Sequence, residues 1–590
     1  MYWQVKAIRS SQYYYYVVLN ETSIVYSEKE NFNFARVWSE DGTITLNEVF
    51  GRQYDNADRI LKTIPRVYPA LKGYSKFSKL FQEGEVPILR FRISDNDFNT
   101  LINDKGEESH RKYYGQLDVL MSDGIYQFNN TELTLSGMST RGHKKRPFKI
   151  SLSDDKNEPK TNRELYNRST FKLRNLVYDS SYIKNKLAVD IMTSAGIPVL
   201  QSSFARFYIN NTPFGLYDFS DVITKQFIRK FFHPDEKKKD VQYGSLYKGC
   251  SISRENEYIQ AFLYNDYPEY RTRLYQPTKL IREGAQESDD ITEFIVWLDS
   301  LTDETPEKDI REKFDVDTFM KSMAIEYLTC QWDGYLQGGN NYYIYRNSNG
   351  YFTLFPFDFD ITFGKWCHFE NASFEQFCLP RDEYGNKGIV YSQLYNKILK
   401  REPFKSQTKQ FVDDIIAKLF NIQALGNRLK YLKEFLKDDI KWDISKRLNL
   451  PTYTYPDVEE EPIPSFDSVM ALFSEGQQIV DDYGIYNWII HRSGNVAYGD
   501  HIVFNVNYDE GEVGNKIKDE EEQEQEKVQE EIKEEEKEKK EQEAKGKEKK
   551  TFEQVSNKNH TINYSISYTV PKYVIKNTIL ILLFIIYIIF

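Results

Sequence analysis

A run of charge near the C-terminus limits where this chain can form a core. Residues 516–550 hold 15 acidic and 11 basic side chains, which makes 26 charges in 35 positions. A segment with so few apolar residues cannot bury enough surface to offset the entropy lost on ordering. The run predicts a solvated helix or an extended stalk, so the packed structure must come from the residues before it.

The composition is sufficient for a large core in that earlier part. Of 590 residues, 40% are hydrophobic and 15% are aromatic, which excludes a wholly disordered protein. The net charge of −11 lacks the basic footprint of a general nucleic-acid binder, so we expect no nucleic-acid partner. Internal apolar runs stay shorter than the ~18 residues that a membrane helix needs, which argues against a polytopic membrane protein.

The C-terminal segment 556–590 has the layout of a glycolipid anchor signal. Residues 578–590 form an apolar tail that is short for a bilayer span, and a polar stretch with small residues precedes it. Alternatives are a tail-anchored helix or an apolar end without function. N-x-S/T sequons, typical of secreted proteins, begin at Asn20, Asn129, Asn167, Asn210, Asn371, Asn559 and Asn563. Together these features predict an extracellular or surface protein held to a membrane, although no N-terminal signal is evident.

The cysteines fit an oxidising compartment without fixing a pairing. None of the four forms a CxxC motif, which argues against a zinc ribbon. Cys367 and Cys378 are close enough in sequence to close one loop. Four buried free thiols are the alternative.

Hydrophobic periodicity predicts an α+β protein with a small β-rich unit over residues 1–85 and a main domain over 86–505. Residues 86–94 alternate as a strand, and the helix that follows has Asp95 or Asn96 as its expected cap. Residues 181–195 carry apolar side chains on one helical face. Hairpins are expected at 203–219 and at 342–357, the second around Asn349-Gly350. The charged stalk then occupies 506–555.

The densest cluster of chemically active groups lies on either side of that second hairpin. Asp333 follows a predicted helix, Asn340 and Asn341 precede one strand, and Asp358 and Asp360 follow the other. Since a hairpin returns to its starting edge, these oxygens should meet in one place. Carboxylate and amide oxygens suit Mg²⁺ or Mn²⁺. The alternatives are caps of helices and turns, or a Ca²⁺ site without catalysis.

A second cluster is basic and flanks a predicted strand. Its members are Arg141, His143, Lys144, Lys145, Arg146 and Lys149. A helix with Asp190 follows it. A nucleotide site of the kinase type needs a strand lysine held by a helix carboxylate. A solvated basic turn is the alternative, and no G-x-G-x-x-G loop precedes the cluster.

Several blocks in order make the chain resemble the CotH (spore coat protein H) kinase-like family over roughly residues 86–500. The blocks are MSTRGHKKRPFKISL, YDSSYIKNKLAVDI, FYINNTPFGLYDFSDVI, GSLYKG, FDVDTFMKSMAIEYLTCQWDGYL, NNYYIY and FPFDFDITFG. The resemblance, strongest to fungal surface members, implies an atypical, two-lobed protein-kinase-like fold that uses ATP and a divalent metal.

The same resemblance implies roles for individual residues. Asp333 takes the catalytic position, and Asn341 and Asp358 take the metal positions. Asp360, which stands where an ordinary kinase has glycine, is also expected at the metal.

For the nucleotide, the resemblance implies contacts from Lys145, Asp190 and Asp221. Arg146 replaces the second lysine of the usual basic block, which leaves a pseudokinase as an alternative.

The expected function is transfer of the ATP γ-phosphate to Ser or Thr of a surface or coat protein, with the partner unidentified. A surface adhesin, or a structural coat protein on the same fold, is the alternative from a different class of function.

Overall fold

The computed structural model describes part of the chain. The described residues are 12–14, 16–19, 24–31, 36–37 and 62–508, the last with gaps at 107–109, 122–123, 154, 156–158, 251–259, 263–273, 368, 379–390, 475–477, 480–481 and 501. The predicted stalk beyond residue 508 and the apolar tail therefore lie outside the described residues. The chain divides into two units, of which the larger comprises Ile8–Tyr14 and Ser27–Gly514, while the smaller comprises Met1–Ala7, Tyr15–Tyr26 and Asn515–Phe590.

The first strands of the chain form two short pairs. They are β1 (Gln12–Tyr13), β2 (Tyr16–Leu19), β3 (Ile24–Ser27) and β4 (Arg36–Val37), with β1 paired to β4 and β2 to β3. The remaining strands are β5 (Ile88–Arg92), β6 (Lys112–Met121), β7 (Gly124–Leu135), β8 (Phe148–Ser151), β9 (Thr170–Arg174), β10 (Ser202–Ile209), β11 (Thr212–Ser220), β12 (Ser245–Gly249), β13 (Gln260–Ala261), β14 (Tyr275–Pro277), β15 (Tyr342–Arg346), β16 (Phe352–Pro356), β17 (Tyr391–Ser392), β18 (Gln478–Ile479) and β19 (Asp482–Tyr483).

Helices dominate the second half of the described chain. They are α1 (Glu28–Asn31), α2 (Asp95–Asn103), α3 (Lys184–Ser194), α4 (Lys225–Phe232), α5 (Asp289–Ser300), α6 (Glu307–Lys313), α7 (Val316–Thr329), α8 (Tyr335–Gly338), α9 (Phe374–Phe377), α10 (Phe404–Lys418), α11 (Ile422–Arg447), α12 (Phe466–Ala471) and α13 (Ile485–Asp500). A π-helical turn covers Tyr395–Leu399. Among the described helices, none combines the length and the apolar character needed to cross a bilayer.

Seven of the described strands close into a barrel in the order β10-β11-β9-β8-β7-β6-β5. Neighbours are antiparallel except β5 and β10, whose parallel pairing closes the barrel. Side chains alternate across a strand, so Phe171 and Leu173 of β9 join the buried core while Lys172 and Arg174 lie on the other face. The outer face of the barrel therefore carries charge.

A four-stranded sheet, β14-β12-β15-β16, packs with the helices around a second core. Helix α7 contributes Phe319 and Met323 to this core, and β16 contributes Leu354. All eleven residues of α3 are buried, because the helix contributes to the same core. The arrangement confirms the predicted α+β class.

The segment just before β5 contributes Ile64 and Val67 to this core. The backbone N–H of Val67 donates to the Ser194 carbonyl at 3.1 Å, and the Tyr74 hydroxyl donates to the Ile197 carbonyl at 2.6 Å. Residues 62–85 thus pack against the end of α3.

Local sequence patterns predict several of these elements. The hairpin β10–β11 turns at Asn210, with φ of 53°, and the hairpin β15–β16 turns at Gly350, with φ of 83°, as predicted. The predicted cap of α2 was wrong by one residue. Ser94 caps the helix by accepting from the N–H of Asp97, and Asp95 lies in the first turn, where its charge suits the helix dipole.

Candidate active site

Asp333 lies in the loop after α7, and two amides hold its carboxylate. Asn340 Nδ2 donates to Asp333 Oδ1 at 3.1 Å, and Asn341 Nδ2 donates to Asp333 Oδ2 at 2.8 Å. The loop can turn back in this way because α8 is a single turn that ends at Gly339, whose φ is 58°. The half-buried carboxylate is therefore fixed in orientation.

Asn341 connects Asp333 to the strand that precedes Asp358. Its backbone carbonyl accepts from the N–H of Phe357 at 3.0 Å. Because its side-chain nitrogen is used by Asp333, its Oδ1 atom is the end of the amide that can accept a cation. The hairpin thus brings Asp333, Asn341 and Asp358 together at one edge, as the sequence predicted.

Asp358 is held in a left-handed conformation two residues after β16. Its φ is 67°, and that of Asn341 is 54°. Its carbonyl accepts from Gln331 Nε2 at 3.0 Å, and the next N–H, of Phe359, donates to Asn185 Oδ1 at 3.1 Å. Non-glycine residues rarely adopt positive φ, and such strain concentrates at functional sites.

A disulfide fastens this region to the end of α7. Cys330 and Cys367 are bonded, with their Cα atoms 6.2 Å apart. Cys250 and Cys378 are free and buried, and burial raises the pKa of the Cys378 thiol well above its usual value. Both sequence-based alternatives, a Cys367–Cys378 loop and four free thiols, were wrong. Cys330 ends α7 in a left-handed conformation, with φ of 47°, and its disulfide partner lies 37 positions further on.

Four cations gather around strand β9, and one of them contacts Asp358. Lys172 and Arg174 lie on β9, Lys149 is the cross-strand partner of Lys172 on β8, and Lys248 lies on β12. The Arg174 guanidinium contacts the Asp358 carboxylate. Burial and, to a smaller extent, the charges of Arg174, Lys248 and Lys149 together lower the pKa of Lys172 to about 7.

The structure does not bring the predicted nucleotide residues to this place. Lys145 is buried, and its Nζ donates to Asp443 Oδ1 at 2.7 Å and to the Leu216 carbonyl at 2.6 Å. Burial lowers the pKa of Lys145 to about 8, although Asp443 opposes the shift. The expected pairing of Lys145 with Asp190 is absent from the described contacts.

Asp190 and Asp221 also take part in buried ion pairs. Asp190 accepts from Lys186 at 2.6 Å and from Arg428 at 2.7 Å. Asp221 accepts from Arg168 at 2.7 Å. None of the described contacts joins either carboxylate to Asp333 or Asp358. Their roles toward a nucleotide stay predictions.

Asp360 lies beside an aromatic group at the edge of the site. Burial raises the pKa of Tyr178, and the charges of Glu461, Asp360 and Asp333 raise it further. The Tyr178 ring packs on Trp366 with centroids 5.2 Å apart.

Sequence reasoning missed Asn185, Lys172, Arg174 and Lys248. Asn185 Nδ2 donates to Asp218 Oδ2 at 2.8 Å, so this amide links α3, β11 and the loop after Asp358. The alternation in TFKLR could have placed Lys172 and Arg174 on one face of a strand. No local pattern indicates that this face meets Asp358.

The residues present fit a divalent cation that also binds phosphate. In the described part of the chain, no group of three or more His, Cys, Asp or Glu side chains is placed to hold a metal. Mg²⁺ and Mn²⁺ need fewer, because one or two carboxylates suffice when substrate phosphates complete the shell. Asp358 and the Asn341 amide oxygen are the donors of that kind here.

The fold and the site define an α+β protein in which carboxylate and amide oxygens meet a cationic strand face. The family model described as CotH kinase protein matches residues 133–466, which is more than half of the chain. The chain belongs to the CotH family.

Curated relatives come from a fungus and a bacterium. Invasin CotH3 of Rhizopus delemar is 26% identical over 416 residues, covering 68% of this chain and 64% of that protein. Invasin CotH2 of the same organism is 26% identical over 378 residues, covering 63% and 60%. Inner spore coat protein H of Bacillus subtilis is 21% identical over 334 residues, covering 55% and 82%. The alignments thus span less than two thirds of the two invasins.

Proposed function

We propose that this protein is a metal-dependent kinase that transfers the γ-phosphate of ATP to Ser or Thr hydroxyls of surface or coat proteins. The observation that supports it best is the linkage of Asp333, Asn341 and Asp358 at one edge, opposite Lys172 and Arg174. The site has oxygen donors on one side, which suit a metal ion, and cations on the other, which suit phosphates. It is therefore complementary in charge to a metal-bound polyphosphate.

The order of elements supports a two-lobed, kinase-like fold. A lysine-bearing barrel strand, β9, is followed by the buried helix α3, and the loop of Asp333 comes later, before the hairpin that ends at Asp358. Protein kinases use this order for the nucleotide lysine, its helix, the catalytic loop and the metal-binding aspartate.

Each residue then has a defined task. Asp358 and Asn341 would hold Mg²⁺ or Mn²⁺, which would supply positive charge to offset that of the phosphates. Asp333, fixed by its two amide donors, orients the acceptor hydroxyl and receives its proton. As the hydroxyl oxygen bonds to the γ-phosphorus, the bond to the β,γ-bridging oxygen breaks and ADP leaves. Positioning and charge stabilisation supply most of the acceleration.

The second candidate is a surface-binding protein with little or no catalysis. The names of the fungal relatives, which are called invasins, favour it. The ion pair between Arg174 and Asp358 also favours it, because a permanent guanidinium there would exclude a metal. Under either function we propose a surface location, with the C-terminal segment as a glycolipid anchor signal.

A direct test uses purified full-length protein with radiolabelled ATP, with Mn²⁺ or with EDTA. We expect label on the protein only with the metal, and none in Asp358→Ala. Asp457→Ala, which removes an exposed carboxylate elsewhere, is the matched control and should label normally. Label in Asp358→Ala equal to the parent would contradict the metal assignment. Absence of label and of ATP binding in the parent would favour the adhesin.

A further inference from the structure

Strand β9 presents two cations next to the predicted metal ligand. Lys172 and Arg174 alternate with buried Phe171 and Leu173, so both side chains leave the barrel on its outer face. There the Arg174 guanidinium contacts the Asp358 carboxylate, and both side chains are largely shielded, with 19% and 26% exposed. Because this pair is largely shielded from water, each of the two groups has a defined partner.

More cations lie around this pair than are needed to neutralise the Asp358 carboxylate. Lys149 lies opposite Lys172 in the β8–β9 register, and the Lys248 ammonium lies 5.6 Å from the centre of the Phe357 ring. Among the described residues, Lys149, Lys172 and Lys248 form no ion pair with a carboxylate. Like charges held together without counter-ions raise the free energy of the fold, and an anionic ligand removes that cost.

A neighbouring carboxylate on the same face, that of Asp218, forms its hydrogen bonds with groups other than these lysines. Asp218 is the cross-strand partner of Arg174 on β11. Its oxygens accept from Asn185 at 2.8 Å and from Ser202 at 2.7 Å, and from Ser220. Asp218 therefore anchors α3 and the neighbouring strands.

We propose that Arg174 is a positioning residue that exchanges partners. It neutralises Asp358 while that carboxylate has no metal, and it binds the polyphosphate, beside Lys172, when a divalent cation takes Asp358. This inference rests on the proposed function, since it concerns the metal and phosphate ligands of that same site. It assigns phosphate binding to β9, in place of Lys145.

The exchange has two consequences of opposite sign. A guanidinium and a metal compete for the Asp358 carboxylate, so removing Arg174 must strengthen the binding of the metal alone. Arginine also offers a planar pair of donors that suits phosphate, so its removal must weaken polyphosphate binding. A residue with a merely structural role would change both affinities in one direction, through the fold.

The test measures Mn²⁺ and inorganic tripolyphosphate on the full-length protein. Electron paramagnetic resonance of free Mn²⁺ gives the affinity for the metal alone, and calorimetry at saturating Mn²⁺ gives that for tripolyphosphate. For Arg174→Met we expect roughly tenfold tighter Mn²⁺ and roughly tenfold weaker tripolyphosphate, the size of one charged hydrogen bond. Lys112→Met, which removes an exposed lysine paired with Glu132, should change neither.

Each outcome decides the proposal. Arg174→Lys keeps the charge without the planar fork, so it should bind Mn²⁺ like the parent and tripolyphosphate several-fold more weakly. If Arg174→Met does not fold, Arg174→Lys provides the test. Unchanged affinities in a folded Arg174→Met, or a parent that binds neither probe, would overturn the exchange. A parent that binds both probes but transfers no phosphate from ATP would overturn the kinase and leave the exchange standing.

Discussion

Replacing Lys172 by methionine should stabilise the protein at and below pH 7 and remove part of the pH dependence of its stability. The pKa of this lysine falls from an ordinary 10.5 to about 7, through burial first and then through Arg174, Lys248 and Lys149. The difference is 10.5 − 7, or about 3.5 units, which at ~1.36 kcal/mol per unit gives an upper bound of about 5 kcal/mol. Since the side chain is only half-buried, solvent screening reduces the expected effect to about 1–2 kcal/mol.

The sign follows from proton counting. Between pH 7 and 10.5 the unfolded chain keeps the lysine proton and the folded protein has lost it. Stability must therefore rise with pH across this window. Below pH 7 both states are protonated and the folded state carries the full penalty. Lys172→Met removes the penalty, so its advantage over the parent should be largest at pH 6 and should shrink by pH 9.5.

Urea unfolding followed by tryptophan fluorescence measures this difference. The parent, Lys172→Met and the control Lys112→Met are compared at pH 6 and pH 9.5. For each variant, the free energy of unfolding relative to the parent is determined at both pH values, and the two results are compared. A gain for Lys172→Met that is the same at both pH values would refute the crowding of cations on β9. So would a variant less stable than the parent at pH 6.

Two substitutions and one reduction test the buried ion pairs and the disulfide by chemical denaturation. Asp190→Asn should destabilise the fold by about 3 kcal/mol, because it leaves the Arg428 charge with less compensation; a loss below about 1 kcal/mol would contradict this. Asp443→Asn should cost about 3–5 kcal/mol, since it weakens the partner of a buried ammonium, and a neutral result would be inconsistent with that pair. Reducing the Cys330–Cys367 bond, which closes a loop of 37 positions, should cost about 2–4 kcal/mol by loop entropy. Equal stability of the oxidised and reduced protein would argue against it.

Features encoded by nearby residues could be predicted from the sequence. The turns at Asn210 and Gly350 follow from residues that tolerate positive φ, and α7 follows from its apolar periodicity. The cluster of Asp333, Asn341 and Asp358 could be predicted because a single hairpin joins its parts.

Features made by distant segments could not. Lys145 is held by Asp443, which lies 298 positions away on α11, so a lysine in a basic turn became a buried ion pair. The burial of Asp190 depends likewise on Arg428, 238 positions away. No local pattern contains these partners. From the sequence, the nucleotide lysine could be chosen only by the order of the motifs. In the structure, the register of β9 with its neighbours places Lys172 on the strand face that meets Asp358.

The most direct test of the central claim is ATP binding with Mn²⁺, measured by calorimetry on the full-length parent, Asp358→Ala and Asp333→Asn, with phosphate transfer from radiolabelled ATP followed in parallel. We expect the parent to bind ATP only with the metal, and Asp358→Ala to lose both binding and transfer. Asp333→Asn should bind ATP like the parent and transfer phosphate roughly 10²-fold more slowly, because only the acceptor hydroxyl loses its base. Metal-dependent ATP binding by Asp358→Ala at the parent's affinity would show that Asp358 does not hold the metal.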